Sequence, residues 1–128
     1  MQEETDKRLN ILIVEDDSEM QDLYRFFFKG MEEIYRVDIE GDAKSALRRL
    51  REVDYHLIIL DILMEHMNGE TFFIYIRNHT KTMATPVIIV SVVEEEQLDR
   101  IEELGHVWYL QKPVEREALL MKIDEIMT

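Results

Sequence analysis

Cysteine is absent from the 128 residues, which excludes disulfides, thiolate metal sites and a cysteine nucleophile, and accords with a reducing compartment. Proline occurs twice, at Pro86 and Pro113, and glycine four times, so long stretches lack the residues that interrupt helices and strands. Positive charge is also scarce: 15 Lys and Arg stand against 28 Asp and Glu, a formal net charge of -13. A phosphate backbone is bound by clustered cations, so this balance argues against direct nucleic-acid binding and favours basic protein partners or metal ions. No stretch approaches the roughly 20 consecutive apolar residues of a membrane helix, and Met1 to Arg8 is polar where a signal peptide would be apolar. The expected location is cytoplasmic, with no membrane segment.

What is present is a regular alternation. A hydrophobic content of 46% supports one buried core, so residues 1–9 read as a flexible tail and residues 10–128 as a single domain. Two unbroken apolar runs, Ile11 to Val14 and Leu57 to Leu60, have the length and composition of strands covered on both faces. Val87 to Val90, entered through Pro86, and Val107 to Leu110 read as a fourth and a fifth strand, while Tyr35, Val37 and Ile39 alternate with polar residues in a less buried strand.

Helical spacing fills the intervals. Asp17 or Ser18 is placed to cap a first helix with Met20, Leu23, Tyr24, Phe27 and Phe28 inward, closed by Gly30. Asp42 caps a second, with Ala43, Ala46, Leu47 and Leu50 inward and Lys44, Arg48, Arg49 and Arg51 toward water. Asn68 or Thr71 opens a third, with Phe72, Phe73, Tyr75 and Ile76 inward. A fourth runs from Glu94 to Leu104 on a thin apolar face of Leu98, Ile101 and Leu104, and a fifth from Glu115 to Met127. Five strand–helix repeats at a period of about 25 residues predict an α/β fold, a parallel sheet wound on both faces by five helices. Right-handed crossovers favour the flavodoxin-like strand order 2-1-3-4-5, with strands one and three beside the point where the winding reverses.

That order brings the acids after those two strands, Glu15, Asp16 and Asp61, into one crevice at the carboxyl edge of the sheet. Carboxylates so close repel one another unless they keep a proton or recruit a cation, and oxygen ligands beside an anionic substrate suit Mg²⁺ or Mn²⁺. His66 lies nearby in sequence but has no second His at i, i+4, so it reads as a loop residue. Ser91 ends the fourth strand and Lys112 follows the fifth. A hydroxyl and an ammonium converging on three acids and a metal are what a phosphoryl group on Asp61 requires, with Asp61 as the nucleophile.

Four segments then carry a resemblance: ILIVEDD at 11–17, LIILDILMEHMNG at 57–69, PVIIVS at 86–91 and YLQKP at 109–113. In this order, each on its own strand end, they resemble the CheY-like receiver domain of two-component response regulators. The resemblance covers nearly the whole chain. It implies that Glu15 and Asp16 are the acid pair, Asp61 the phosphoacceptor, Ser91 the switch hydroxyl, Lys112 the conserved lysine and Tyr109 the aromatic switch residue. It further implies a metal contact through the backbone carbonyl of Leu63, a cis Lys112–Pro113 bond and a phosphoryl donor that is a sensor histidine kinase or phosphotransfer protein. Such a domain is a phosphoacceptor that assists its own Mg²⁺-dependent phosphorylation and dephosphorylation, not an enzyme acting on other substrates. Its output face is the fourth helix, fifth strand and fifth helix, where Trp108 adds apolar area for a downstream protein or a homodimer.

Departures from the family pattern sit around the site. Glu65, Val92 and Val114 stand where the family usually has Pro, a small residue and Phe. Apolar Leu63, Val92 and Val93 occupy the positions that govern access and hydrolysis, which predicts slow phosphoryl exchange. The alternative is a degenerate receiver acting as a phosphorylation-independent interaction module. A haloacid-dehalogenase-type phosphatase is disfavoured, because Leu63 stands where that chemistry needs a second Asp.

Overall fold

The computed structural model describes residues 7–64, 68–92 and 99–128. Its strands are β1 (Leu9–Val14), β2 (Tyr35–Glu40), β3 (Leu57–Asp61), β4 (Val87–Ser91) and β5 (Val107–Gln111), all parallel, in the order β2-β1-β3-β4-β5. The helices α1 (Ser18–Phe28), α2 (Ala43–Glu52), α3 (Gly69–Arg77) and α5 (Arg116–Met127) have nine to twelve residues. Of the helix expected over Glu94 to Leu104, the described part is the turn α4 (Asp99–Glu102). Glu94 to Leu98, like Glu65, His66 and Val93, lie outside the described residues. No helix among the described residues is long and apolar enough to cross a membrane.

Burial follows from the position of each strand. β3 and β4 are central and buried at every residue, as their unbroken apolar runs imply; β2 is a half-buried edge, as its alternation implies, and β5 is a half-buried edge although Val107 to Leu110 are all apolar. One core, under α2, α3 and α4, contains Leu12, Val14, Ile58, Leu60, Phe73 and Ile101. The other, under α1 and α5, contains Ile11, Ile13, Tyr24, Ile59, Leu119 and Ile123. Each fully buried aliphatic side chain contributes about 1.5–3 kcal/mol, so the central strands are held by apolar transfer on both faces.

Caps resolve where the helices begin. Asp17, Asp42 and Asn68 each accept a backbone N–H in the first turn, from Met20, Ser45 and Thr71 at 2.9, 2.8 and 3.1 Å. Gly30 stops α1 with a left-handed φ of 85°.

Four expectations need correction. Leu23 and Tyr75 are exposed, not inward, because α1 and α3 bury a narrower stripe than their apolar residues occupy, and Leu104 is exposed because it lies in the turn beyond the end of α4. Arg49 does not extend into water: it folds over the β2 edge onto Glu40 at 2.7 Å and Asp38 at 3.8 Å. Trp108 offers only part of its apolar area to the surface, since strand alternation packs it and Leu110, both half-buried, against the core under α1 and α5. The first strand begins at Leu9, whose N–H donates to Ile34 O at 2.9 Å, one residue earlier than expected.

Candidate functional site

Parallel register carries three chemical groups to one edge of the sheet. Val14, the last residue of β1, lies opposite Leu60, so Glu15 follows beside Asp61. Asp61 lies opposite Val90, so Ser91 ends β4 one step beyond it, and Ser91 in turn lies opposite Gln111, just before Lys112. The Lys112 N–H donates to Ser91 O at 2.9 Å, which extends the β4–β5 ladder to the lysine itself. The Lys112–Pro113 bond is cis.

The side chains converge as this register requires. Carboxylate oxygens of Glu15, Asp16 and Asp61 lie within 4.8 Å of one another, Asp16 half-buried and the other two buried. Lys112 Nζ donates to Asp61 Oδ2 at 2.9 Å and to Glu15 Oε1 at 3.2 Å. Asp61 Oδ1 accepts the Leu63 N–H at 3.1 Å, and Glu15 Oε2 accepts the Asp17 N–H at 3.2 Å. Both buried acids are therefore held on both oxygens, by the lysine on one side and by a backbone N–H on the other.

The electrostatics follow from burial and proximity. Burial pushes the Glu15 carboxyl above the ordinary carboxylate value; the Asp17 N–H opposes this, the Asp61 charge adds to it, and Lys112 pulls it back. Burial alone would lower the Lys112 ammonium, but its bond to Asp61 and the charges of Asp61 and Glu15 outweigh that and push it up. Among the described residues, the two buried acids Glu15 and Asp61 share the one ammonium of Lys112, with the Asp16 carboxylate beside them.

The other sequence-predicted residues divide by position. Ser91 is buried at the end of β4. Tyr109 is half-buried on the α2–α4 side of the sheet, with its hydroxyl oxygen covered. Leu63 and Val92 are 56% and 60% exposed and stand at the mouth. Sequence reasoning missed two supports. Gln21 Nε2 donates to Glu15 O at 2.7 Å and holds the loop after β1. A Cβ on Gly69 would meet Asp61 O at 2.4 Å and Ile62 Cα at 2.6 Å, so only glycine lets α3 begin against the Asp61 loop. The Asn-Gly pair at 68–69 is a turn signal that points to such a close approach, though its partner lies in another element.

Comparison with known proteins agrees with this geometry. The family model described as the response regulator receiver domain matches residues 11–124. The chain belongs to that family. This receiver domain is 37% identical over 121 residues to the response regulator ArlR of Staphylococcus epidermidis, covering 92% of this chain and 52% of that protein. It spans about half the length of the ArlR relatives it matches. In fold it is similar to the chemotaxis protein CheY4 of Vibrio cholerae, with a TM-score of 0.83 and 22% identity, covering 93% of this chain and 98% of that one. It is also similar to the receiver domain of a sensor histidine kinase from Pseudomonas aeruginosa, whose structure has a magnesium ion coordinated in the active site cleft. There the TM-score is 0.80 at 22% identity, with 94% of this chain and 99% of that one covered.

Proposed function

We propose that this receiver domain takes a phosphoryl group on Asp61 from a phosphohistidine of a sensor kinase or phosphotransfer protein and acts as a cytoplasmic signalling switch. One observation carries the reading: a buried aspartate at a sheet edge, bonded to a lysine at 2.9 Å, with two further acids clustered around it. In the transfer, an Asp61 carboxylate oxygen attacks phosphorus as the P–N bond breaks. An acyl phosphate forms and the departing imidazole takes up a proton.

The donor set suits Mg²⁺ or Mn²⁺, because three carboxylates offer hard oxygen ligands within 4.8 Å of one another beside an anionic substrate. Glu15, Asp16, Asp61 and the Leu63 carbonyl would hold the ion, which when bound supplies positive charge to the phosphoryl oxygens. Lys112 leaves its bond to Glu15 and pairs with a phosphoryl oxygen, and Ser91 donates its hydroxyl to another. The added charge of about -1.5 to -2 draws Ser91 toward the phosphoryl group. Tyr109 and the face of α4, β5 and α5 answer that movement, which is where a downstream protein or a second copy reads the state.

Leu63 and Val92 set the lifetime of the acyl phosphate, as apolar groups over the mouth offer an attacking water no hydrogen bond; the proposal includes Val93 in the same role. The test is incubation with acetyl phosphate and Mg²⁺, followed by intact mass. The wild type gains one phosphoryl group that persists for minutes or longer after donor removal, and Asp61→Asn gains none. Uptake by Asp61→Asn would place the phosphoryl group on another residue, and uptake by neither protein would favour the phosphorylation-independent module. Decay within seconds would remove the role given to Leu63 and Val92.

A further inference from the structure

Positive charge is concentrated on one helix of this acidic chain. Within α2, Lys44, Arg48, Arg49 and Arg51 stand against the single acid Glu52, while the whole chain carries a net charge of -13. Arg49 is taken up by Asp38 and Glu40, but Lys44, Arg48 and Arg51 are exposed. They form a stripe at i, i+4, i+7. The stripe one residue earlier, Ala43, Leu47 and Leu50, is apolar and lies about 100° away around the helix.

That apolar stripe borders a groove against α3. Two cavities of ≈ 220 and ≈ 280 Å³ lie along it and share Leu47 and Tyr75, so they form one continuous trough. Phe72 and Ile76 floor the two halves, and Lys81 stands at the far end. Tyr75 is 43% exposed yet held in place: the His79 ring packs on it at 4.1 Å between centroids, and His79 Nδ1 donates to the Tyr75 carbonyl at 3.0 Å. The trough is therefore a preformed apolar surface with exposed cations along one wall.

We propose that the groove between α2 and α3 docks an acidic amphipathic helix of a partner protein. A trough beside a ten-residue helix is about 15 Å long and matches two to three turns of a ligand helix. Such a ligand lays apolar side chains at i, i+3 or i+4, and i+7 against Leu47 and Tyr75. Its acidic side chains face Lys44, Arg48 and Arg51. Charge complementarity selects this occupant, because the remainder of a surface with this net charge repels an acidic segment and this wall attracts it. The surface is separate from the Asp61 crevice, so the inference stands apart from the phosphorylation reading.

The test uses the full chain and two labelled helical peptides that share one leucine face, one bearing glutamates on the polar face and one bearing lysines. Anisotropy reads affinity, and ¹⁵N shift perturbations read the site. The glutamate peptide binds saturably with shifts confined to α2, α3 and the trough residues that flank α3, Asn68 and His79 to Thr82, and the lysine peptide binds at least about tenfold more weakly. The double variant Arg48→Glu, Arg51→Glu and, separately, Tyr75→Ala each weaken binding by about tenfold or more, while far-UV dichroism and phosphoryl uptake stay unchanged. Equal binding of the two peptides, shifts centred away from the α2–α3 trough and its flanking residues, or no binding at millimolar peptide would overturn the proposal. Shifts in α2 and α3 produced by concentrating the protein alone would also overturn it, by showing a second copy as the occupant.

Discussion

Two clusters of acids and cations sit on this sheet, one at the crevice and one along β2, and they differ in charge balance. Along β2, Asp38 and Glu40 face two guanidinium groups: Arg49 meets Glu40 at 2.7 Å and Asp38 at 3.8 Å, and Arg36 meets Asp38 at 3.4 Å. The Tyr55 hydroxyl donates to Asp38 at 2.5 Å and completes the set. Burial, and then that bond to Asp38, push the Tyr55 hydroxyl pKa up, so it stays a donor throughout the physiological range. At the crevice, among the described residues, Glu15 and Asp61 share the one ammonium of Lys112. The β2 cluster is balanced and half-exposed, which makes it a structural edge. The crevice is largely buried, with two acids on one cation, and under the proposed function that imbalance is what favours a divalent ion there.

If that contrast is right, removing the cation matters far more at the crevice than along β2. Lys112→Ala leaves Glu15 and Asp61 buried without their cation, and the expected loss is about 3 kcal/mol in urea unfolding with chelator present. Added Mg²⁺ shrinks that loss, because it replaces the missing positive charge. A loss no larger than at Arg49, or one insensitive to Mg²⁺, breaks the contrast.

Gly69→Ala comes next, at about 2 kcal/mol, since a Cβ at 2.4 Å from Asp61 O forces α3 away from the crevice loop. The same variant slows phosphoryl uptake, which a purely structural glycine would leave unchanged.

Asp42 sharpens the comparison as an acid satisfied at a helix start chiefly by a backbone N–H, with the Arg48 charge a smaller contribution. The Ser45 N–H holds its carboxyl below the ordinary value of 3.8. Its contribution is therefore present above that value and is lost as pH falls through the lower folded pKa. Asp42→Ala costs about 1 kcal/mol at neutral pH, and the difference from wild type closes on acid titration. Smallest is Arg49→Ala, at less than about 1 kcal/mol and diminishing with added salt, as solvent-screened pairs do.

Much of this was legible from residue order. The runs Ile11 to Val14 and Leu57 to Leu60 had to be central because nothing in them tolerates water, and the acids that follow had to lie at their ends. The caps Asp17, Asp42 and Asn68 were legible because capping is local. Less could be read where a side chain has two apolar or polar environments within reach. Leu23 and Tyr75 satisfy helical periodicity yet sit at the margin of their stripes, and Arg49 is long enough to reach the neighbouring strand. Trp108 was placed by the alternation of an edge strand, whose two faces look alike in sequence.

By itself, the sequence determined which segments are strands or helices, which strands are buried on both faces, and that acids occupy two strand ends. These are properties of neighbouring residues, set by local period and transfer free energy. Only the tertiary structure decided that Lys112 meets Asp61, 51 residues away, and Glu15, 97 residues away, and that Gly69 closes on the Asp61 backbone. Those contacts depend on strand order and the hand of each crossover, which bring distant strand ends to a common edge.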